Sequence, residues 1–339
     1  MSVAAPLLDI RDLRATFETP RGTLRAVDGV GFSIDPGETV AVVGESGSGK
    51  SVTAMSILRL VARADRASLG GSILWRGRDG TVRDLLALDE RAMRDVRGRE
   101  IAVIFQDPTA SLNPVFSIGA QIREAIRRHR PADASRANAL AIEALRDVGI
   151  ADPERRVASF PHQLSGGMRQ RVMIAIALAC APRLLIADEP TTALDVTIQA
   201  QILRLLADLK TTRGMGLLFI THDLALVGEI AQRIVVMYAG EVVESGPTAS
   251  VLAHPRHPYT RALLDCRPSR EYVDAGEDIR VLRPIPGAPP RPTEIRQGCR
   301  FAPRCALARD RCRESEPALE WSGDRATACH APLPGGWAA

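Results

Sequence analysis

Aromatic residues are scarce in this 339-residue chain, at 4% of the total, too few to line a groove on which single-stranded nucleic acid could stack. Nucleic acid is therefore not expected as a partner. Long apolar runs are missing as well. The longest, around Val172–Ala181, is interrupted and amphipathic, well short of the roughly 20 residues a membrane-spanning helix needs. The start, Met1-Ser2-Val3-Ala4-Ala5-Pro6, has no basic stretch leading into an apolar one, so no signal peptide is expected. These absences predict a cytosolic chain whose membrane role, if it has one, runs through partner subunits. Charge of one sign is not in strong excess: the formal net charge is +4. Local groups such as Arg127-Arg128-His129-Arg130 read first as a solvated face, and second as a contact for a partner or for anionic lipid headgroups. The six cysteines, in a cytosolic setting, point to metal or reactive roles rather than to disulfides.

What is present is enough apolar residue, 45%, for a substantial core, and enough length for one large domain plus an appendage, or for two domains. The stretch with the clearest chemistry is Gly44-Glu45-Ser46-Gly47-Ser48-Gly49-Lys50-Ser51. It follows the apolar run Thr39-Val40-Ala41-Val42-Val43 and opens onto Val52–Leu58, which has helical spacing. Strand, glycine-rich turn and helix in that order form the context of a phosphate-binding loop. The glycines let backbone N–H groups face inward around a phosphate, and the helix start adds unpaired donors. Lys50 would reach the outer phosphates, and the Ser51 hydroxyl would ligate Mg²⁺. Downstream, Leu184-Leu185-Ile186-Ala187-Asp188-Glu189 has the Walker B pattern. A buried strand would deliver Asp188 to the metal, directly or through water, and Glu189 to the attacking water as general base.

Around these motifs the order is alternating. Strands are expected at Leu7–Phe17, Leu24–Ile34, 69–77 (short, antiparallel), Glu100–Phe105, Leu184–Ala187, Leu217–Ile220 and Ile234–Met237. Helices are expected at Asp89–Val96, Arg169–Cys180, Val196–Leu209 and Leu224–Ala231. Ser117–Val148 reads as a helical insertion, with stripes Ile118, Ile122, Ile126 and then Ala139, Ile142, Leu145, Val148. The order implies an α/β fold with a parallel sheet covered by helices. Twelve of the 23 prolines fall in residues 251–339, as do the four clustered cysteines, so a separate, loop-rich extension without a regular core is expected there.

Leu164-Ser165-Gly166-Gly167-Met168, followed by Arg169-Gln170-Arg171, lies about twenty residues before the Walker B pattern. It resembles the signature of ATP-binding cassette (ABC) ATPases, with Met168 where the family usually has Gln. The resemblance implies a P-loop NTPase core (residues 1–250) with an antiparallel β subdomain and a helical subdomain at about 107–165. It also implies that two homologous or identical subunits close on two MgATP, with Ser165, Gly166 and Gly167 completing the site of the opposite subunit. Phe17 falls where the family stacks adenine on an aromatic; a core phenylalanine is the competing reading. Gln106 looks like the Q-loop glutamine, a metal and water ligand. Ala193-Leu194-Asp195 looks like the D-loop, with Asp195 crossing the dimer interface, and His222 resembles the switch histidine.

Three stretches resemble the ATP-binding subunits of oligopeptide/dipeptide and nickel importers: Phe105–Pro114; His254–Leu264; and Pro284-Ile285-Pro286-Gly287 with Gly298-Cys299-Arg300-Phe301 and Cys329-His330. This implies an ATPase that powers peptide import from the cytoplasmic face of the membrane. Its partners would be a permease docked on the helical subdomain and, indirectly, an extracytoplasmic solute-binding protein. Nickel import is the alternative, and a soluble ABC protein without a transport role stands behind both. Cys299, Cys305, Cys312 and Cys329 are spaced C-x5-C-x6-C-x16-C, which matches neither common zinc pairs nor ferredoxin runs. The resemblance implies a [4Fe–4S] cluster; Zn²⁺ and unligated thiols remain open. Arg304 and Arg311 would offset negative cluster charge or be solvated.

Overall fold

The computed structural model of the chain describes residues 5–20, 22–61, 67–130, 132–192, 194–266, 284–290, 293 and 297–334, with Thr109 described by its backbone only. Its strands are β1 (Leu8–Thr19), β2 (Gly22–Ile34), β3 (Thr39–Val43), β4 (Ala67–Arg76), β5 (Val82–Asp84) and β6 (Ile101–Ile104). They continue with β7 (Leu184–Asp188), β8 (Gly216–Thr221), β9 (Arg233–Tyr238), β10 (Glu241–Pro247), β11 (Glu320–Ser322) and β12 (Arg325–Thr327). The chain divides into two compact units. One comprises Met1–Asp9, Ser33–Thr39 and Ile73–Ile220; the other comprises Ile10–Phe32, Val40–Ser72 and Thr221–Ala339.

In the first unit β6, β7 and β8 run parallel, with Ile101 opposite Leu184 and Leu184 opposite Gly216. Leu184–Ala187 and Leu217–Ile220 are each 0% exposed, and burial on both faces is why these strands read as unbroken apolar runs. Between β6 and β7 the chain is helical. The single run expected over Ser117–Val148 is two helices, Ile118–His129 and Ala134–Asp147. Pro131 in the sequence cannot donate to a continuing helix, and Asp133 caps the second one by accepting the Arg136 N–H at 2.8 Å. The first stripe is as expected, with Ile118, Ile122 and Ile126 buried. The second is not: Ala137, Ala141, Ala144, Leu145 and Val148 are buried, Ala139 is exposed and Ile142 is half-buried. At 100° per residue Ala139 lies about 120° around the helix from Leu145, on the side opposite to Ala137, Ala141 and Ala144, so it falls outside the buried face. The signature helix is Gly166–Leu178; it starts three residues before the expected Arg169, because Ser165 is its N-cap.

In the second unit β3 is parallel to β9, with Val40 opposite Arg233. β9 turns at Ala239-Gly240, both at positive φ, into antiparallel β10, which pairs in turn with β12. β2, β1 and β4 lie side by side. The proline-rich region is more regular than expected. It forms helices Thr248–Ala253 and Pro258–Asp265 besides β11 and β12. Pro258 sits in the first turn of its helix, where a missing N–H has no consequence, so proline here starts a helix rather than breaking one. Tyr238, Tyr259, Phe301 and His257, at most 3% exposed, form a buried ring cluster with centroid separations of 4.6–5.9 Å.

Glu244, 0% exposed, organises this region. It accepts the Arg256 N–H (2.8 Å), the His257 N–H (2.9 Å) and the Arg325 guanidinium (2.6 Å). His257 is kept neutral, since burial pushes its pKa down to about 3, and its Nδ1 accepts the Tyr259 N–H at 3.0 Å. Removing one partner of a buried ion pair strands the other charge. Arg325→Ala is therefore expected to lower stability by about 3–5 kcal/mol, read as a shift in the denaturant midpoint. A midpoint unchanged from the parent would contradict the role given to Glu244.

Candidate nucleotide site and cysteine cavity

The phosphate loop lies in the second unit, between β3 and helix Lys50–Ile57. Its backbone takes positive φ at Gly44 (152°), Gly47 (80°) and Gly49 (100°). A Cβ at Gly44 would stand 2.2 Å from the Met237 carbonyl oxygen, and one at Gly49 would stand 2.6 Å from that of Ala26. Only glycine fits either place. The Lys50 ammonium, 5% exposed, donates to the carbonyls of Gly44 (2.8 Å) and Glu45 (2.9 Å). Ser48 is 3% exposed, and among the described residues its Oγ has no hydrogen-bond partner. An orphaned hydroxyl, an ammonium folded over the loop and inward-turned glycines fit a bound phosphate with its Mg²⁺. Ser46, Gly47 and Ser51 are exposed. Phe17, on β1, is half-buried rather than part of the core. His222 follows β8 directly and is exposed.

In the first unit Asp188 ends β7 and is 6% exposed. Glu189 has a φ of 47°, an uncommon left-handed value for a non-glycine residue. One oxygen of its carboxylate accepts from Gln106 Nε2 (3.1 Å) and from Thr192 Oγ1 (2.9 Å). Gln106 and Glu189, expected from separate motifs 83 residues apart, therefore meet. Thr192 was not anticipated, although it lies three residues past Glu189. Ser165 accepts the Met168 N–H (3.3 Å), and Gly166 and Gly167 form the first turn, whose N–H groups have no partner within a helix. Asp195 caps helix Val196–Arg213 by accepting the Ile198 N–H at 2.9 Å. Ala193 lies outside the described residues.

Cys299, Cys305, Cys312 and Cys329 line a single cavity with Phe301 and His330. Gly298 allows the approach: its φ is 90°, a Cβ would meet the Cys312 carbonyl oxygen at 2.6 Å, and the Cys299 N–H donates to that oxygen at 2.8 Å. Burial pushes the Cys299 thiol up to about 11 and raises Cys305 and Cys329, with neighbouring thiols adding to each. Among the described residues no three His, Cys, Asp or Glu side chains stand close enough together to hold a single metal ion. Arg304 does not face the cavity as a counter-charge. Its side chain, 4% exposed, forks onto both carboxylate oxygens of Glu45 at 2.6 and 3.0 Å. Arg311 is exposed. Tyr259 also reaches the loop: its hydroxyl accepts the Glu45 N–H at 2.8 Å. Neither contact was anticipated, and separations of 259 and 214 residues leave no local signal for them.

Buried parallel strands, one leading into a glycine-rich phosphate loop and another ending in an Asp-Glu pair, define a P-loop ATPase. The ABC transporter family model matches residues 27–192, and the model of the oligopeptide/dipeptide transporter C-terminal region matches residues 243–312. A putative peptide import ATP-binding protein of Brucella melitensis is 53% identical over 318 residues, covering 93% of each chain. A probable peptide ABC transporter ATP-binding protein of Sinorhizobium fredii is 52% identical over 324 residues, covering 95% of this chain and 94% of the relative. The post-hydrolysis dimer of the ATP-binding cassette MJ0796 with ADP and Pi is 28% identical. It superimposes with a TM-score of 0.60 over 71% of this chain and 98% of that one. The structure of cbiO1 from Clostridium perfringens, part of the ABC transporter complex cbiONQ, is 26% identical. Its TM-score is 0.61, over 74% of this chain and 92% of that one. The chain belongs to the ABC transporter family, as an ATP-hydrolysing subunit of the oligopeptide/dipeptide type.

Gly44→Ala places a methyl where the Met237 carbonyl oxygen already is. The expected outcome is loss of MgATP binding by titration calorimetry; parent-like affinity would show that the loop does not need glycine there.

Proposed function

We propose that the chain hydrolyses MgATP to power peptide uptake across the cytoplasmic membrane. It would work from the cytoplasmic face as a peripheral subunit beside a second ABC ATPase, a permease and, indirectly, a solute-binding protein. No described helix is long and apolar enough to cross a membrane, so the permease supplies the channel. The observation that carries the reading is that Gln106 and Thr192 both hold the Glu189 carboxylate, in a chain that also has an intact phosphate loop. In this reading the loop Gly44–Ser51 wraps the phosphates, Phe17 stacks on adenine, and Lys50 neutralises the outer phosphates. Ser51, Gln106 and Asp188 hold Mg²⁺, Glu189 takes the proton of the attacking water, and His222 contacts the γ-phosphate. Ser165, Gly166 and Gly167 offer the donors of a helix start to the partner's nucleotide, with Asp195 at the shared interface. Residues 1–250 form the ATPase, with a helical subdomain at about 107–165, and 251–339 the extension. Phe105, Val115, Phe116 and Phe160, 37–70% exposed, lie in or beside that helical subdomain and suit docking by a permease.

We assign the four-cysteine cavity to a [4Fe–4S] cluster held by Cys299, Cys305, Cys312 and Cys329. Four cysteine thiolates are the ligand set such a cluster would take, and the cluster would supply redox-active iron there. What supports the reading is that all four thiols line one cavity. A bound cluster would supply the positive charge that holds these thiols as thiolates, together with folding free energy for the region.

Glu189→Gln should keep ATP bound while phosphate release falls roughly 10²–10⁴-fold; turnover at the parent rate would remove Glu189 as general base. Anaerobically purified protein should be brown and carry iron and sulfide near about four each per chain. Equimolar zinc, or a colourless, metal-free folded protein, would overturn the cluster assignment.

A further inference from the structure

Glu45, a position the loop pattern leaves free, is held through its N–H, its carbonyl and its carboxylate. Its carbonyl accepts from Lys50 (2.9 Å). Its N–H donates to the hydroxyl of Tyr259, which is 0% exposed. Its carboxylate takes both arms of Arg304. One residue is thus fixed at its N–H, its carbonyl and its side chain, and two of the three fixing groups come from the C-terminal region rather than from the ATPase match.

Both groups are themselves locked. Tyr259 sits in the ring cluster, with centroids 4.6 Å from Tyr238 and 5.3 Å from Phe301, and its N–H is held by His257. Arg304 also donates through Nε to the Pro286 carbonyl (2.9 Å) and through Nη1 to the Tyr238 hydroxyl (3.3 Å), with its guanidinium 5.8 Å from the Tyr238 ring centre. The Glu45 carboxylate beside it raises the arginine's pKa further, so the fork stays charged. Arg300, four residues earlier, makes a second tie. It donates to the Ala239 carbonyl and to Asp28, each at 2.6 Å, and the adjoining Gly240 N–H donates to the Ser48 carbonyl of the loop at 2.9 Å.

We propose that Tyr259 and Arg304 are positioning residues of the phosphate loop. They orient the Glu45 peptide and so set the affinity for the nucleotide phosphates, which makes the C-terminal region a working part of the ATP site. The proposal rests on the reading of Gly44–Ser51 as the phosphate loop. A bidentate, charge-assisted fork and a buried hydroxyl on an N–H are geometrically exacting contacts, and a lysine cannot reproduce the fork.

The test is MgADP binding and steady-state ATP hydrolysis by the full chain. Tyr259→Phe keeps the ring and removes only the hydroxyl; it should weaken MgADP roughly 3- to 10-fold. Arg304→Ala should weaken it about tenfold, with Arg304→Lys restoring part of the loss. In each variant KM for ATP should rise more than kcat falls. Glu45→Ala combined with Arg304→Ala should bind no more weakly than the worse single variant, because both act through one contact. Parent-like MgADP affinity in folded Tyr259→Phe and Arg304→Ala, or additive losses in the double variant, would overturn the proposal. Should Arg304→Ala fail to fold, Tyr259→Phe decides alone. A parent chain that binds no MgADP would instead sink the phosphate-loop reading itself, so the two failures are distinguishable.

Discussion

A phosphate loop has almost no side chains with which to hold itself. Its N–H groups must face inward, so the glycines that permit this leave it without a core, and the shape has to be imposed from outside. Here the constraint is met by backbone and polar contacts. The Met237 carbonyl closes off any Cβ at Gly44, the Gly240 N–H holds the Ser48 carbonyl, and Tyr259 and Arg304 hold Glu45. The order of dependence can be followed inward. Glu244 fixes the His257 N–H, His257 fixes the Tyr259 N–H, and Tyr259 fixes the Glu45 N–H. A buried carboxylate on β10 is thus three hydrogen bonds from the phosphate loop.

The same region carries the four cysteines. Arg300 and Arg304 adjoin Cys299 and Cys305 in sequence, so one short stretch presents thiols to the cavity and guanidiniums to the loop and its neighbouring turn. This explains why so proline-rich a segment folds as it does. Proline removes backbone donors, and the order lost from ladders is replaced by ring contacts, arginine forks and one buried acid. Unit by unit, the protein keeps its phosphate grip and its cysteine cavity together, and keeps the Asp188-Glu189 pair with Gln106 and the signature helix.

Much of this was legible in the sequence, and the divide follows distance along the chain. Gly44–Ser51 and Leu184–Glu189 are contiguous patterns in which the chemistry and the element that presents it share a few residues, so they could be read directly. The buried strands announced themselves as unbroken apolar runs. The second helical stripe was misplaced because alanine is a weak marker of which face is buried; Ala139 and Ala141 look alike until neighbours choose between them. Arg304, next to Cys305, reads locally as a counter-charge to the cysteines or as a solvated arginine, while its actual partner is 259 residues away. The spacing of the cysteines gave their number but not the Gly298 turn that brings Cys299 against Cys312.

Glu189 holds a backbone conformation, φ 47°, that suits glycine, asparagine and aspartate better than glutamate. Such a conformation costs a residue like glutamate on the order of 1 kcal/mol. At the proposed general base, selection for stability and selection for turnover therefore pull in opposite directions. Drift toward Gly, Asn or Asp would relax the chain while removing or retracting the acid. In a transporter whose two ATPase subunits are not identical, a subunit released from the need to hydrolyse would be expected to decay first at this residue, and to become slightly more stable as it did.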